Sequence, residues 1–328
     1  MTWWGRMDLL GNALLSIKVL SNSIGVFDFA GEWGYELTDI VPDFACSLSV
    51  LEGQCWFEAA GSPGTWLAVG ETAVVLNSTS HSYASCPGAP LEPLRDLLAR
   101  HGAGTLGLKT RHDSPLHVRI GKGSARTRIL ALAYLLREPE GNPALAGLPA
   151  SFVVRQEGEA MFPWLSSLSN YLVKQSETRL PGYSATASHL ADLMFTSFLR
   201  SWIASDGNTG KGWLTAISDP QIGRVLAHVN ARPMAKWTVA TMASEAKMAR
   251  STFARRFSEL LAQPPMDYVL GIRLSAARDL MLSRRLSVGE LAEHAGYQSE
   301  RAFRTAFARR YGKSPRAYLK SQGNAPAE

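Results

Sequence analysis

AFRTAFARRYGKSPRAYL (302–319) superposes without gaps on TFARRFSELLAQPPMDYV (252–269). Phe303 falls on Phe253, Phe307 on Phe257, Pro315 on Pro265 and Tyr318 on Tyr268, each 50 residues apart. Upstream, Leu291-Ala292 falls on Met242-Ala243 and Ala295 on Ala246, now 49 apart, so the second turn has gained one residue. A solenoid of this period needs about three or more stacked copies. Two are present, so the repeat is read as two copies of one supersecondary unit.

Each copy reads as helix, short turn, helix. In the second, Ser287 is an N-cap with Glu290 as its capping-box partner, and Val288, Leu291, Ala292 and Ala295 form one apolar face. Gly296 supplies the left-handed residue that ends this helix, Ser299 caps the next, and Gly312 closes it. Phe303 and Phe307, four residues apart, point inward and leave Glu300, Arg301, Arg304 and Thr305 outside. The first copy follows the same plan, with Thr238 as cap, Met242 and Ala246 packed, and Phe253 and Phe257 buried in a helix from Arg250. Between the copies, Pro264-Pro265 opens a further helix, DYVLGIRLSAARDLML (267–282), that would hold the two units relative to each other.

Charge separates the halves of the chain. Residues 221–328 hold 18 Lys and Arg against 8 Asp and Glu, whereas residues 1–220 hold 16 against 20. A basic domain concentrates cations that can displace counterions from phosphates, and an acidic remainder is repelled by the same backbone. The 328 residues, 46% hydrophobic and 19% charged, lie in the globular range and are long enough for two domains or three. The longest apolar run, Ile129–Leu136, is far below the roughly 18 residues of a membrane span. No secretory leader is recognised at the start, and the three cysteines (Cys46, Cys55, Cys86) form neither a disulfide framework nor a zinc knuckle. A cytoplasmic protein without membrane association is expected.

The segment from Trp237 to Lys320, and above all AEHAGYQSERAFRTAFARRYGKSPRAYL (292–319), resembles the DNA-binding domain of the AraC/XylS family of bacterial transcription regulators. The resemblance implies seven helices with two helix-turn-helix units whose second helices enter successive major-groove segments. The first unit departs from the family's pattern: Lys247 and Ala249 stand where the turn usually has glycine and the cap serine, so the turn carries a left-handed penalty and the helix loses a cap worth about 1 kcal/mol. It implies base reading by Ser251, Ala254 and Arg255 in the first unit, and by Glu300, Arg301, Arg304 and Thr305 in the second. Arginine can contact guanine bidentately, and a glutamate can accept from cytosine. Arg256, Arg309, Arg310, Lys313, Ser314 and Arg316 are the candidates for phosphate contacts, which position without carrying sequence information.

In the acidic half, SLSVLEGQCWFEA (47–59), TWLAVGETAVVLN (65–77) and PLHVRI (115–120) alternate in short apolar stretches with glycine turns, as in an antiparallel β-sandwich or barrel. VLEGQCWF (50–57) and LAVGETAVVLNSTSH (67–81) resemble the cupin-type sensor domain that precedes the DNA-binding domain in one AraC subgroup, and the likeness begins near Met7, so residues 1–6 are read as a start-site extension. Metal-dependent cupin enzymes need two or three histidines and a carboxylate. Here His81 follows the second glycine strand, but Ser47, Leu48 and Ser49 stand where a His-x-His would be, and His101, His112 and His117 lie outside the motif. No metal, cofactor or catalytic residue is expected. Trp56, Phe57, Trp66, His81 and Tyr83 are the candidate lining of a small-molecule effector pocket, with strand core as the alternative.

Two amphipathic helical segments follow across 161–205, broken at Leu180-Pro181-Gly182. Leu190, Leu193, Met194, Phe198 and Trp202 recur there at helical spacing, as core or as a dimer seam, and the family favours dimerisation. The expected architecture is multi-domain α+β: a cupin-like β-barrel or sandwich over 8–155, a helical dimerisation segment over 156–205, a linker over 206–218, and an all-α domain with two helix-turn-helix units over 219–321. The partners expected are double-stranded DNA, RNA polymerase, a second copy of the chain and an effector. The function expected is transcription regulation, activation first. A cupin metalloenzyme fused to a DNA-binding module is one alternative; a ligand-independent regulator whose amino-terminal half makes protein contacts is the other.

Overall fold

The structure, a computed structural model, describes residues 9–101, 116–155, 165–204 and 212–323, apart from positions 16, 18, 39, 41, 42, 124, 125, 137–141, 143, 144, 146, 179, 180, 284 and 285. The start-site extension, His112, positions 205–211 of the linker region and the tail after 323 lie outside the described residues. The chain divides into two units, Asn12–Thr209 and Gly210–Glu328 with Met1–Gly11.

After a short helix α1 (Leu9–Leu15), the first unit builds two sheets. Six strands lie in the order β11 (Ser151–Val154), β6 (Thr72–Val75), β3 (Phe44–Glu52), β10 (Arg126–Leu136), β1 (Val19–Ala30) and β9 (Leu116–Ile120). The other five lie in the order β5 (Thr65–Ala68), β4 (Gln54–Ala59), β7 (His81–Ala84), β2 (Gly34–Leu37) and β8 (Glu92–Pro93), with α2 (Leu94–Arg100) beside them. The two sheets pack as a sandwich and do not close into a barrel among the described residues. Not every pair is antiparallel, as the alternation suggested: β1 with β9 and β2 with β8 run parallel. A parallel neighbour needs a long crossover, and several strands intervene in sequence between the members of each pair.

The core between the sheets takes Phe27, Phe29, Cys46, Leu48 and Val50 from one side and Tyr35, Cys55, Phe57, Leu67 and Tyr83 from the other. The six-stranded sheet is also covered on its far face, by α3 (Leu165–Thr178) and α4 (Tyr183–Ala204). The Tyr134 ring lies 4.6 Å from Phe195 and its hydroxyl donates to the Ala191 carbonyl at 3.3 Å. Burial on both faces explains why 129–136 reads as one apolar run rather than a clean alternation. Met194 and Phe198 of the helical stripe are buried in this layer, whereas Leu193 is exposed.

Among the described residues of the second unit the regular elements are all helices: α5 (Trp213–Ser218), α6 (Ile222–Ala231), α7 (Val239–Glu245), α8 (Arg250–Leu261), α9 (Pro265–Ser283), α10 (Val288–His294), α11 (Glu300–Tyr311) and α12 (Pro315–Gly323). The helix α5 occupies part of the stretch read as linker, because Trp213, Leu214 and Ala216 are buried. The sequence repeat becomes a repeat of packing. Phe257 lies 5.5 Å from Phe253 and 5.8 Å from Tyr268, and Phe307 lies 5.6 Å from both Phe303 and Tyr318.

Candidate nucleic-acid interface

Each unit is organised by its turn. At the end of α10, the N–H of Gly296 bonds to the Glu293 carbonyl and that of Tyr297 to the Ala292 carbonyl, the paired bonds of a Schellman motif. At the end of α7, Lys247 bonds back to Ser244 and Met248 to Ala243 in the same way. This motif needs a left-handed residue; Gly296 has φ 72° and Lys247 has φ 54°. Lysine therefore occupies the strained position the repeat assigns to it. The Gln221 side chain donates to the Ala246 carbonyl at 3.0 Å and supports the first turn from outside.

The second helices start differently. Ser299 accepts from the Ala302 N–H at 3.2 Å, whereas Ala249 offers no side-chain cap. They also end differently: α11 closes on Gly312, φ 69°, and α8 on Ala262, φ 53°. The 50-residue repeat places Ala262 opposite Gly312, so the sequence itself carries the signal of a second left-handed non-glycine residue in the first unit.

With the phenylalanines buried, Ser251 and Arg255 of α8 and Glu300, Arg301, Arg304 and Thr305 of α11 are exposed, and Ala254 is half-buried. Arg255 donates to Glu259 at 3.0 Å, and Arg304 pairs with Glu300 one turn before it. The Thr305 hydroxyl donates to the Arg301 carbonyl at 3.0 Å. Arg309, Arg310, Lys313, Ser314 and Arg316 are exposed towards the end of α11 and the start of α12, where the Ser314 hydroxyl accepts from the Ala317 N–H at 3.3 Å.

Arg256 is held apart from these, donating to Asp219 at 2.5 Å. Asp219 also accepts from the N–H groups of Gln221 and Ile222, both at 2.9 Å, at the start of α6. Burial pushes its carboxyl up, but those two N–H groups and the guanidinium outweigh it and hold the carboxyl below its usual range.

The residues named for an effector pocket do not share a face. Phe57, His81 and Tyr83 lie inside the sandwich, where the Phe57 and Tyr83 rings stack at 5.1 Å. Trp56 and Trp66 pair across β4 and β5 on the outer face of the same sheet, and the Trp56 indole donates to Glu58. His81 donates through Nδ1 to the Thr79 carbonyl at 2.7 Å, which leaves Nε2 to accept from the Cys46 thiol at 3.3 Å. Burial lowers the His81 pKa to about 4 and pushes the Cys46 thiol up to about 12, so both are neutral near pH 7. A cupin-type metal does not fit this donor set. The facing strand sets Cys46 against His81, Ser47 and Ser49 turn to Tyr134 and Thr72, and among the described residues no three His, Cys, Asp or Glu side chains gather as a metal would need.

A family model described as cupin matches residues 8–204, and one described as a helix-turn-helix domain matches residues 242–321. The HTH-type transcriptional regulator AlkR of Acinetobacter baylyi is 31% identical over 179 residues, 54% of this chain and 58% of that protein. The RCS-specific HTH-type transcriptional activator RclR of Escherichia coli is 32% identical over 175 residues, 53% of this chain and 61% of that protein. The chain thus matches about three fifths of the length of these curated relatives. Among solved structures, the DNA-binding domain of AdpA in complex with a target DNA is 34% identical, covers 31% of this chain and 92% of that one, and has a TM-score of 0.30.

Proposed function

This chain belongs to the AraC-type family of transcription regulators, with a cupin domain ahead of its helix-turn-helix domain, and from that membership we propose that it binds duplex DNA sequence-specifically and regulates transcription, as an activator, without catalysing a reaction. The observation that carries the reading is the pair of Schellman-turned units, 50 residues apart in phenylalanine and tyrosine packing, each presenting the outer face of its second helix in the basic half of the chain. Ser251, Ala254, Arg255, Glu300, Arg301, Arg304 and Thr305 are the base-reading residues of this proposal. Arg309, Arg310, Lys313, Ser314 and Arg316 engage phosphates, joined by Arg256 once it leaves Asp219. The helices α3 and α4 supply the contact between two copies, RNA polymerase is the partner at the promoter, and the effector acts through the cupin domain.

Selection of duplexes from a random pool by the full chain tests the proposal. A bipartite site should emerge. On that site Arg301→Ala and Arg304→Ala should each cost about 1–3 kcal/mol and relax discrimination at particular base pairs. Arg316→Ala should weaken all duplexes alike. Identical specificity profiles for the two classes would refute the division, and failure to select any site would refute DNA reading.

A further inference from the structure

Arg273, near the middle of α9, reaches the connection that leads into the first helix-turn-helix unit and the turn of the second, while belonging to neither unit. Its Nε donates to the Pro233 carbonyl at 2.9 Å and its Nη2 to the Ala235 carbonyl at 2.9 Å. Those carbonyls belong to the connection between α6 and α7, which is itself drawn tight: the Trp237 indole donates to the Arg232 carbonyl at 2.9 Å, and the Trp237 N–H to that of Ala235 at 2.7 Å. On its other side the guanidinium packs against the second unit's turn. A β-carbon on Gly296 would lie 3.0 Å from Arg273 Nη1. The next residue, Tyr297, sets its ring edge-on to Phe303 of α11 at 5.6 Å. A second close approach lies nearby, where a β-carbon on Gly271 of α9 would come within 3.2 Å of Arg310 Nη1 from the end of α11.

We propose that Arg273 is a positioning residue that sets the distance and twist between the reading helices α8 and α11, and therefore the base-pair spacing between the two DNA segments they read. The inference rests on the DNA-reading function proposed above. The chemistry suits arginine: a planar guanidinium directs separate N–H groups at two fixed carbonyls, which a single ammonium on a flexible stem does not do. The role is distinct from core packing, because each unit keeps its own phenylalanine and tyrosine cluster without Arg273. What the guanidinium holds is the connection into one unit against the turn of the other. Two recognition helices on one rigid body demand one spacing of their sites, and a looser joint tolerates several.

The test is selection from a random duplex pool by the full-length wild type and Arg273→Gln, followed by titration of the selected site with and without an inserted base pair between its segments. The wild type should select one spacing, and the insertion should weaken it about tenfold or more, since it both shifts and rotates one segment. Arg273→Gln should select the same two segments over a spread of about one or two base pairs, and the insertion should cost it only a few-fold. A folded variant that keeps the single spacing and the full insertion penalty overturns the inference and leaves DNA reading intact. If Arg273→Gln does not fold, Arg273→Lys puts the same question through the same ratio, from which any uniform loss of affinity cancels. A wild type that selects no duplex overturns the DNA-reading function, and this inference with it.

Discussion

Lys247, at φ 54°, and Ala262, at φ 53°, carry the left-handed penalty that Gly296 and Gly312 avoid in the second unit. Lys247→Gly and Ala262→Gly should each stabilise the protein by about 0.5–1 kcal/mol, the relief of Cβ strain exceeding the extra freedom of an unfolded glycine. Denaturant unfolding checks this, and no gain from either would mean that the turns relax around their side chains. His81 makes a pH prediction. Its folded pKa, about 4, lies below the ordinary value of 6.5, so an unfolded chain takes up a proton that the native one refuses. Stability from this residue is full above about pH 6.5 and is lost as pH falls towards 4, up to about 3 kcal/mol. His81→Gln should flatten that part of the unfolding profile of the amino-terminal unit.

At the level of elements, Asp219 links the start of α6 to Arg256 of α8 through two backbone bonds and one ion pair. Asn at this position keeps an oxygen for the N–H groups and loses the charge. Arg256 is half-exposed, so Asp219→Asn should cost about 1 kcal/mol or less, whereas Asp219→Ala should cost about 1–2 kcal/mol by removing the N–H acceptor as well. Because the carboxyl is held below its ordinary range, its contribution is present above the unfolded carboxylate pKa and fades as pH falls below it. Asp219→Asn should also free Arg256 and raise affinity for random-sequence duplex a few-fold at low salt. Anisotropy titration reads this, and unchanged affinity would show that Arg256 faces away from the phosphates. The pairs Arg255 with Glu259 and Arg304 with Glu300 are exposed and weak, so the guanine contacts proposed for these arginines would require giving up only a few tenths of a kcal/mol in each helix.

For the whole molecule, the basic and acidic halves make affinity a matter of ionic strength. Binding of the full chain to its selected duplex should fall linearly on a log–log plot, with a slope near −0.9 per phosphate neutralised, and a flat plot would count against the electrostatic reading. Much of the carboxy-terminal architecture was legible in the sequence. Helix caps, the left-handed turn and the Phe-x-x-x-Phe face act over a few residues, the repeat printed the aromatic face twice, and Lys247 and Ala249 stood out as departures from the family's pattern. The sandwich was legible as strands and glycine turns, but not which aromatic faced inward: neighbours on a strand point to opposite faces, and Trp56 beside Phe57 leaves open which of the two is inside until the second sheet is in place. The bonds from Asp219 to Arg256, Tyr134 to Ala191, and Arg273 to Pro233 and Ala235 join residues 37 to 57 positions apart. No local periodicity encodes such pairs. They exist because packing the separate apolar faces brings those backbone and side-chain groups within hydrogen-bond reach, and that packing is what only the tertiary structure decided.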